Sequence, residues 1–136
     1  MATEMNNIII LSNQKIRSSI IEKLIEESFQ GRLDVAVVNP GVSLPFSASL
    51  ENSIIILDLM GIDLPAKQMI RSIRDFHPQI RIIALHMYRS SILVNPLFDL
   101  GVMGYIFYEP TKSELTDAIV TVSNGDCYKP IFLSCK

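Results

Sequence analysis

Tryptophan is absent from this chain of 136 residues, and cysteine occurs only twice, at Cys127 and Cys135. The two thiols sit near the C-terminus without a second pair or neighbouring histidines, so neither a zinc site nor a disulfide framework is expected, and both should be reduced. Charged residues make up only 19% and nearly cancel, leaving a net charge of −2, which argues against a broad electrostatic surface for nucleic acid. No apolar run approaches the roughly 20 residues that a membrane helix needs. Met1-Ala2-Thr3-Glu4 places no basic stretch ahead of an apolar one, so no secretion signal is expected. A glycine-rich phosphate loop is missing, as is any Ser/His/Asp order of a hydrolase. What the chain does have is aliphatic mass: 49% of it is hydrophobic, enough for a sizeable core. The expectation is one cytoplasmic domain over residues 1–136, with a core over about 7–125 and a tail over 126–136.

The most informative stretch runs from Ser53 to Gly61. Ile54, Ile55, Ile56 and Leu57 are four consecutive large aliphatics, the mark of a strand buried on both faces in a parallel sheet. Further strands are read at Asn7–Leu11, Leu33–Val38, Ile80–Leu85 and Met103–Tyr108. Helices are read over about Gln14–Phe29, Leu64–Phe76, Arg89–Leu100 and Thr111–Ser123. Ser12 or Asn13 and Asp63 are the expected N-caps, and Gly31 a helix stop. In the first helix, Ile16, Ile20 and Leu24 form one apolar row, and Ile21, Ile25 and Phe29 a second beside it. Pro96 is expected to kink or shorten its helix. Val42–Asn52 reads as a loop or a poorly formed helix. Alternating strands and helices with right-handed crossovers give an α/β fold, a parallel five-stranded sheet with helices on both faces.

The aliphatic run of the central strand ends on a carboxylate, Asp58. Open α/β sheets place their chemistry outside the carboxyl ends of the strands, so Asp58 is a candidate site residue; it could equally cap the following turn. His86 ends the fourth strand beside it. Its imidazolium could pair with Asp58, or the ring could turn to solvent. Glu109 could complete a two-carboxylate cation site or serve as a solvated helix cap. Lys15, Arg17 and Lys23 read as the solvated face of the first helix. Arg71, Arg74 and Arg81 cluster in sequence but fall on a helix and a strand, a weak case for a nucleic-acid patch.

The run Ile54-Ile55-Ile56-Leu57-Asp58-Leu59-Met60, the segment Gly101-Val102-Met103-Gly104-Tyr105 and the ending Asn124-Gly125-x-x-Tyr128 together resemble a response-regulator receiver domain of bacterial two-component signalling. The resemblance spans about Asn7 to Tyr128. The ending is similar to receivers that lead into a helix-turn-helix DNA-binding domain, and no such segment lies within these residues. The resemblance implies a flavodoxin-like, three-layer (βα)5 sandwich of strand order 2-1-3-4-5. Asp58 would be the phosphoacceptor and Tyr105 the aromatic of the signalling switch. The pocket around Asp58 would comprise Ser12, Asn13, Met60, His86, Tyr108 and Glu109.

Around Asp58 the chain departs from the family's pattern. Ser12 and Asn13 stand where two acidic residues would hold Mg²⁺, and His86 where a threonine or serine would bind the phosphoryl group. Tyr108, or Glu109, stands where a lysine would neutralise it, and Ile62 replaces a common proline. Phosphoryl transfer depends on cations and donors placed where charge develops, and losing one such donor can cost about 3–4 kcal/mol. Mg²⁺ would have Asp58 as its one carboxylate, a weak site at most, so no cofactor is expected. The reading is therefore an atypical receiver: a signalling and interaction module, not an enzyme, with impaired or no phosphorylation of Asp58. A sensor histidine kinase is a candidate partner. A homodimer or protein partner would use the surface of residues 89–123, with Tyr105, Tyr108 and Leu97 on its exposed side. No direct nucleic-acid or membrane contact is expected. The alternatives are a working phosphoacceptor receiver of a DNA-binding regulator and a flavodoxin-like module for a small ligand.

Overall fold

The computed structural model describes residues 7–39 and 53–130. Five strands, β1 (Asn7–Leu11), β2 (Asp34–Val38), β3 (Ser53–Asp58), β4 (Arg81–His86) and β5 (Gly104–Phe107), form one sheet. Its order is β2-β1-β3-β4-β5 and every pairing is parallel. Four helices are described: α1 (Lys15–Phe29), α2 (Ala66–Phe76), α3 (Ser91–Asp99) and α4 (Lys112–Ser123). The strand order and the parallel sheet expected from the sequence are those observed. The expectation for Val42–Asn52 lies outside the described residues.

The sheet is apolar on both faces because alternate side chains point opposite ways along each strand. Ile8, Ile10, Ile54, Ile56, Ile83, Leu85 and Ile106 pack with Ile21 and Ile25 of α1 and with Leu115, Ala118, Ile119 and Val122 of α4. Ile9, Leu11, Ile55, Leu57, Ile82, Ala84 and Tyr105 pack on the other face with Met69, Ile70 and Ile73 of α2 and Val94 and Leu97 of α3. All six residues of β3 are buried, and this central strand carries Asp58 to its carboxyl edge.

Several local expectations change. Neither Ser12 nor Asn13 caps α1; Gln14 occupies that position without a side-chain cap bond. Pro65, not Asp63, precedes the first residue of α2, again with no side-chain cap. Phe76, in the last turn of α2, is 66% exposed. Pro96 lies inside α3, which is only nine residues long. The capping of α4 is complete: Thr111 accepts from the Glu114 N–H, and Glu114 accepts from the Thr111 N–H. Gln30 in the left-handed region, followed by Gly31 at φ 78°, closes α1.

The first helix holds the largest surprise. Its two apolar rows are not equivalent: Ile16 and Ile20 are 77% and 53% exposed, whereas Ile21 and Ile25 are fully buried. One turn before Ile21, on the same row, stands Arg17. The inner face of α1 therefore begins with a guanidinium at the edge of the sheet.

Candidate functional site

Asp58 is completely buried at the end of β3. A buried carboxylate must be paired or fully hydrogen-bonded, and three contacts do this. Arg17 Nε donates to Oδ2 at 2.9 Å and to Oδ1 at 3.1 Å, forming an ion pair. Ser12 Oγ donates to Oδ2 at 2.8 Å. The Ser12 hydroxyl also accepts the Gln14 N–H at 3.0 Å, so the turn from β1 into α1 orients it toward Asp58.

The turn after β3 completes the enclosure. A Cβ at Gly61 would lie 2.5 Å from Gln14 Cγ and 3.4 Å from Asp58 Oδ2, so the absence of a side chain lets Gln14 lie across the strand ends. Both Gln14 and Gly61 escaped the reading of the sequence, and so did the role of Arg17. Arg17 was read as solvated; its side chain is only 19% exposed and is bound to Asp58. The signal was present in its four-residue spacing from Ile21 and eight-residue spacing from Ile25, which puts it on the buried row. Lys15 and Lys23 are exposed.

The remaining predicted residues separate. Ser12 is buried against Asp58, while Asn13 is exposed and makes no bond to that carboxylate. Met60 is half-buried in the short turn Leu59–Gly61. Tyr108 and Glu109 are exposed, and Tyr108 takes a left-handed φ of 64° while its N–H donates to the His86 carbonyl. Glu109 lines a cleft of about 330 Å³ with Arg17, Ile20, Ile21 and Pro110. No group of three or more His, Cys, Asp or Glu residues able to hold a metal occurs among the described residues. The donors at the strand ends do not fit Mg²⁺: the one carboxylate has both oxygens engaged by a guanidinium, and its neighbours are a neutral serine and an exposed asparagine.

His86 does not become the counter-ion that its position suggested. Burial lowers its pKa from the ordinary 6.5, outweighing the upward pull of Asp58, so the ring is neutral near pH 7. It stacks on Tyr88 with ring centroids 4.0 Å apart, and its Nδ1 is buried without a hydrogen-bond partner. Tyr105 is fully buried, and its hydroxyl donates to the Tyr88 carbonyl at 2.6 Å. Desolvation raises the Tyr105 pKa well above 10.0. Tyr105 and Leu97 were both expected on an exposed interaction face; both are core. Tyr108, also expected there, is 50% exposed, and Ile92 and Leu93 of α3 are 81% and 48% exposed. The arginines read as a weak patch are dispersed: Arg74 donates to the Ile80 carbonyl, and Arg81 to the Val122 and Ser123 carbonyls at the end of α4.

No family model and no curated protein matches the sequence. Solved structures do. The isolated receiver domain of RcsB from Salmonella enterica serovar Typhimurium with the phosphomimetic BeF3⁻ superposes with a TM-score of 0.78 at 19% identity, covering 96% of this chain and 97% of that one. The apo form of the same domain gives 0.71 at 21% identity, covering 95% and 96%. The chemotaxis response regulator CheY4 of Vibrio cholerae gives 0.71 at 12% identity, covering 88% and 99%. With the sheet order and these likenesses together, the chain has the fold of response-regulator receiver domains.

Proposed function

We propose that this chain is an atypical receiver that acts in two-component signalling as a protein-interaction module, with Asp58 held by Arg17 and not used as a phosphoacceptor. The observation that carries this reading is the pair at 2.9 Å between Arg17 Nε and Asp58. Oδ2 of Asp58 already accepts from both Arg17 and Ser12, and Oδ1 from Arg17, so neither oxygen is free to attack a phosphoryl group. Reaction would require breaking a charge-assisted bond at a buried anion, which is the stronger class of hydrogen bond. Nothing at the strand ends compensates: Asn13 is exposed, and His86 is neutral near pH 7. The guanidinium supplies in advance a positive charge beside Asp58.

In this reading the chain performs no turnover. It presents α3, β5 and α4 to another copy or to a partner protein, with Ile92, Leu93 and Tyr108 as the exposed apolar contacts. A sensor histidine kinase is a candidate partner through recognition of the fold, without transfer to Asp58. No described helix is long and apolar enough to cross a membrane.

Intact-mass spectrometry after incubation with a small-molecule phosphodonor and Mg²⁺ tests the reading. The expected result is no added phosphoryl group. Stoichiometric labelling that disappears in Asp58→Asn would replace it with an ordinary receiver working through unfamiliar helpers.

A further inference from the structure

His86 and Tyr105 sit on neighbouring strands, and a single short segment connects their side chains. The imidazole of His86 stacks on the ring of Tyr88 at 4.0 Å, and the backbone carbonyl of Tyr88 accepts the Tyr105 hydroxyl at 2.6 Å. The next residue, Arg89, places its guanidinium 5.3 Å above the ring of Phe107 on β5. The segment from His86 to Arg89 thus carries one ring contact within itself, between His86 and Tyr88, and is tied to β5 by a hydrogen bond and a cation–π contact. At the pocket end of this chain lies an unfilled requirement: His86 Nδ1 is buried and has no partner.

We propose that protonation of His86 is a switch, in which the imidazolium leaves its stack on Tyr88, shifts the segment 87–89 and frees the Tyr105 hydroxyl from the Tyr88 carbonyl. This deepens the reading given above by supplying the Asp58 pocket with an input other than phosphate, and it rests on Asp58 remaining unmodified.

The chemistry is that of a donor without an acceptor. A neutral imidazole can leave Nδ1 bare, but an imidazolium carries N–H on both nitrogens. A buried N–H without an acceptor is costly, so the charged ring must move to find one. The groups that act on it are Asp58 at the end of β3, which Arg17 of α1 holds, the ring of Tyr88 on its own segment, and the backbone N–H of Tyr108 after β5. Asp58 attracts the charge, yet both its oxygens already accept from Arg17, and Oδ2 from Ser12 as well. The Tyr108 N–H donates to the His86 carbonyl, so the backbone of His86 stays fixed while the ring turns. Glu109 and Arg89 are exposed. In the proposed switch the ring turns off the Tyr88 stack to bring Nδ1 to an acceptor. Displacing Tyr88 moves the carbonyl that accepts the hydroxyl of the fully buried Tyr105. The proton taken up in the pocket is therefore read on β5.

The test is an NMR titration of the intact chain, following the His86 ring and the Tyr105 side chain from about pH 8 down to about pH 5, the range in which histidine titrates. Tyr105 is expected to shift with the same midpoint as His86, below 6.5. In His86→Asn the Tyr105 shift is expected to disappear. In Tyr88→Ala, which removes the stack but keeps the backbone carbonyl, the two titrations are expected to separate. A Tyr105 signal that stays constant while His86 titrates would overturn the proposal, as would one that still titrates in His86→Asn. The experiment uses no phosphodonor. Covalent labelling of Asp58 in the mass measurement would defeat the parent reading alone, and an uncoupled Tyr105 would defeat the switch alone.

Discussion

Arg17 reaches the carboxylate of Asp58 from the same row of α1 that buries Ile21 and Ile25, closing to 2.9 Å at the end of the central strand. The ion pair is unequal in its surroundings. Asp58 has no contact with water, whereas the Arg17 side chain keeps 19% of its surface exposed. The inequality decides what each substitution does.

Arg17→Ala leaves a buried carboxylate with only the Ser12 hydroxyl. Removing one partner of a buried pair typically costs about 3–5 kcal/mol, and that range is expected here. Asp58→Asn keeps the shape of the site and frees a guanidinium that can turn outward. A smaller loss, about 1–2 kcal/mol, is expected for it. Replacing both partners with apolar side chains, Arg17→Met with Asp58→Leu, should recover most of the loss, because neither charge then needs solvation. Urea denaturation of the three variants measures this order.

Acid should destabilise the fold through His86. Its folded pKa lies below the unfolded value of 6.5, so the unfolded chain binds the proton first. The contribution of the neutral ring is fully present above 6.5 and is lost as pH falls from there toward the lowered folded value. Urea midpoints measured across that interval should decline in the parent chain and flatten in His86→Asn.

Tyr105 should act at the opposite extreme. Its folded pKa is raised above 10.0, so stability from the neutral phenol is complete below pH 10 and is lost as pH rises past it. Tyr105→Phe should remove that alkaline dependence. At neutral pH it should cost about 1 kcal/mol, the net value of one hydrogen bond. Phenolate absorbance and denaturation at high pH read the two effects.

Much of the fold was legible because its signals are local and periodic. The unbroken aliphatics of Ile54–Leu57 could only be a strand covered on both faces, and their register put Asp58 at the carboxyl edge. The site was only half legible. Residues at strand ends, Ser12, Asp58 and His86, are found by counting along the chain. Arg17 reaches the site from a helix, so its place depends on which of two adjacent apolar rows turns inward. The rows of Ile16 and Ile21 differ by 100° on the helix and look alike in sequence, yet one is exposed and the other buried. For His86 the sign of the shift was the difficulty: the attraction of Asp58 could be anticipated, but not the depth of burial that outweighs it. Tyr105 and Leu97 turned inward for a related reason. Each stands on the side of its element that faces the sheet core, Tyr105 on β5 and Leu97 on α3, where they join Val94 and Val102.

Gly61 provides a separate probe of the enclosure. Its substitution by alanine would set a Cβ 2.5 Å from Gln14 Cγ. Gln14 is exposed and can swing away, so Gly61→Ala should fold with a stability loss of only about 1 kcal/mol or less. Hydrogen exchange at the start of α1 should rise in that variant, because Gln14 no longer lies over the strand ends.

The most direct test of the central claim is a fluoroberyllate titration followed by NMR in the presence of Mg²⁺. The phosphomimetic binds only where a carboxylate is free to accept it and positive charge is free to surround it. With Arg17 and Ser12 already on Asp58, no saturable change is expected at Ser12, Arg17, Asp58 or His86. Saturable shifts at those residues, lost in Asp58→Asn, would contradict it and show that Arg17 yields the carboxylate to a phosphoryl group.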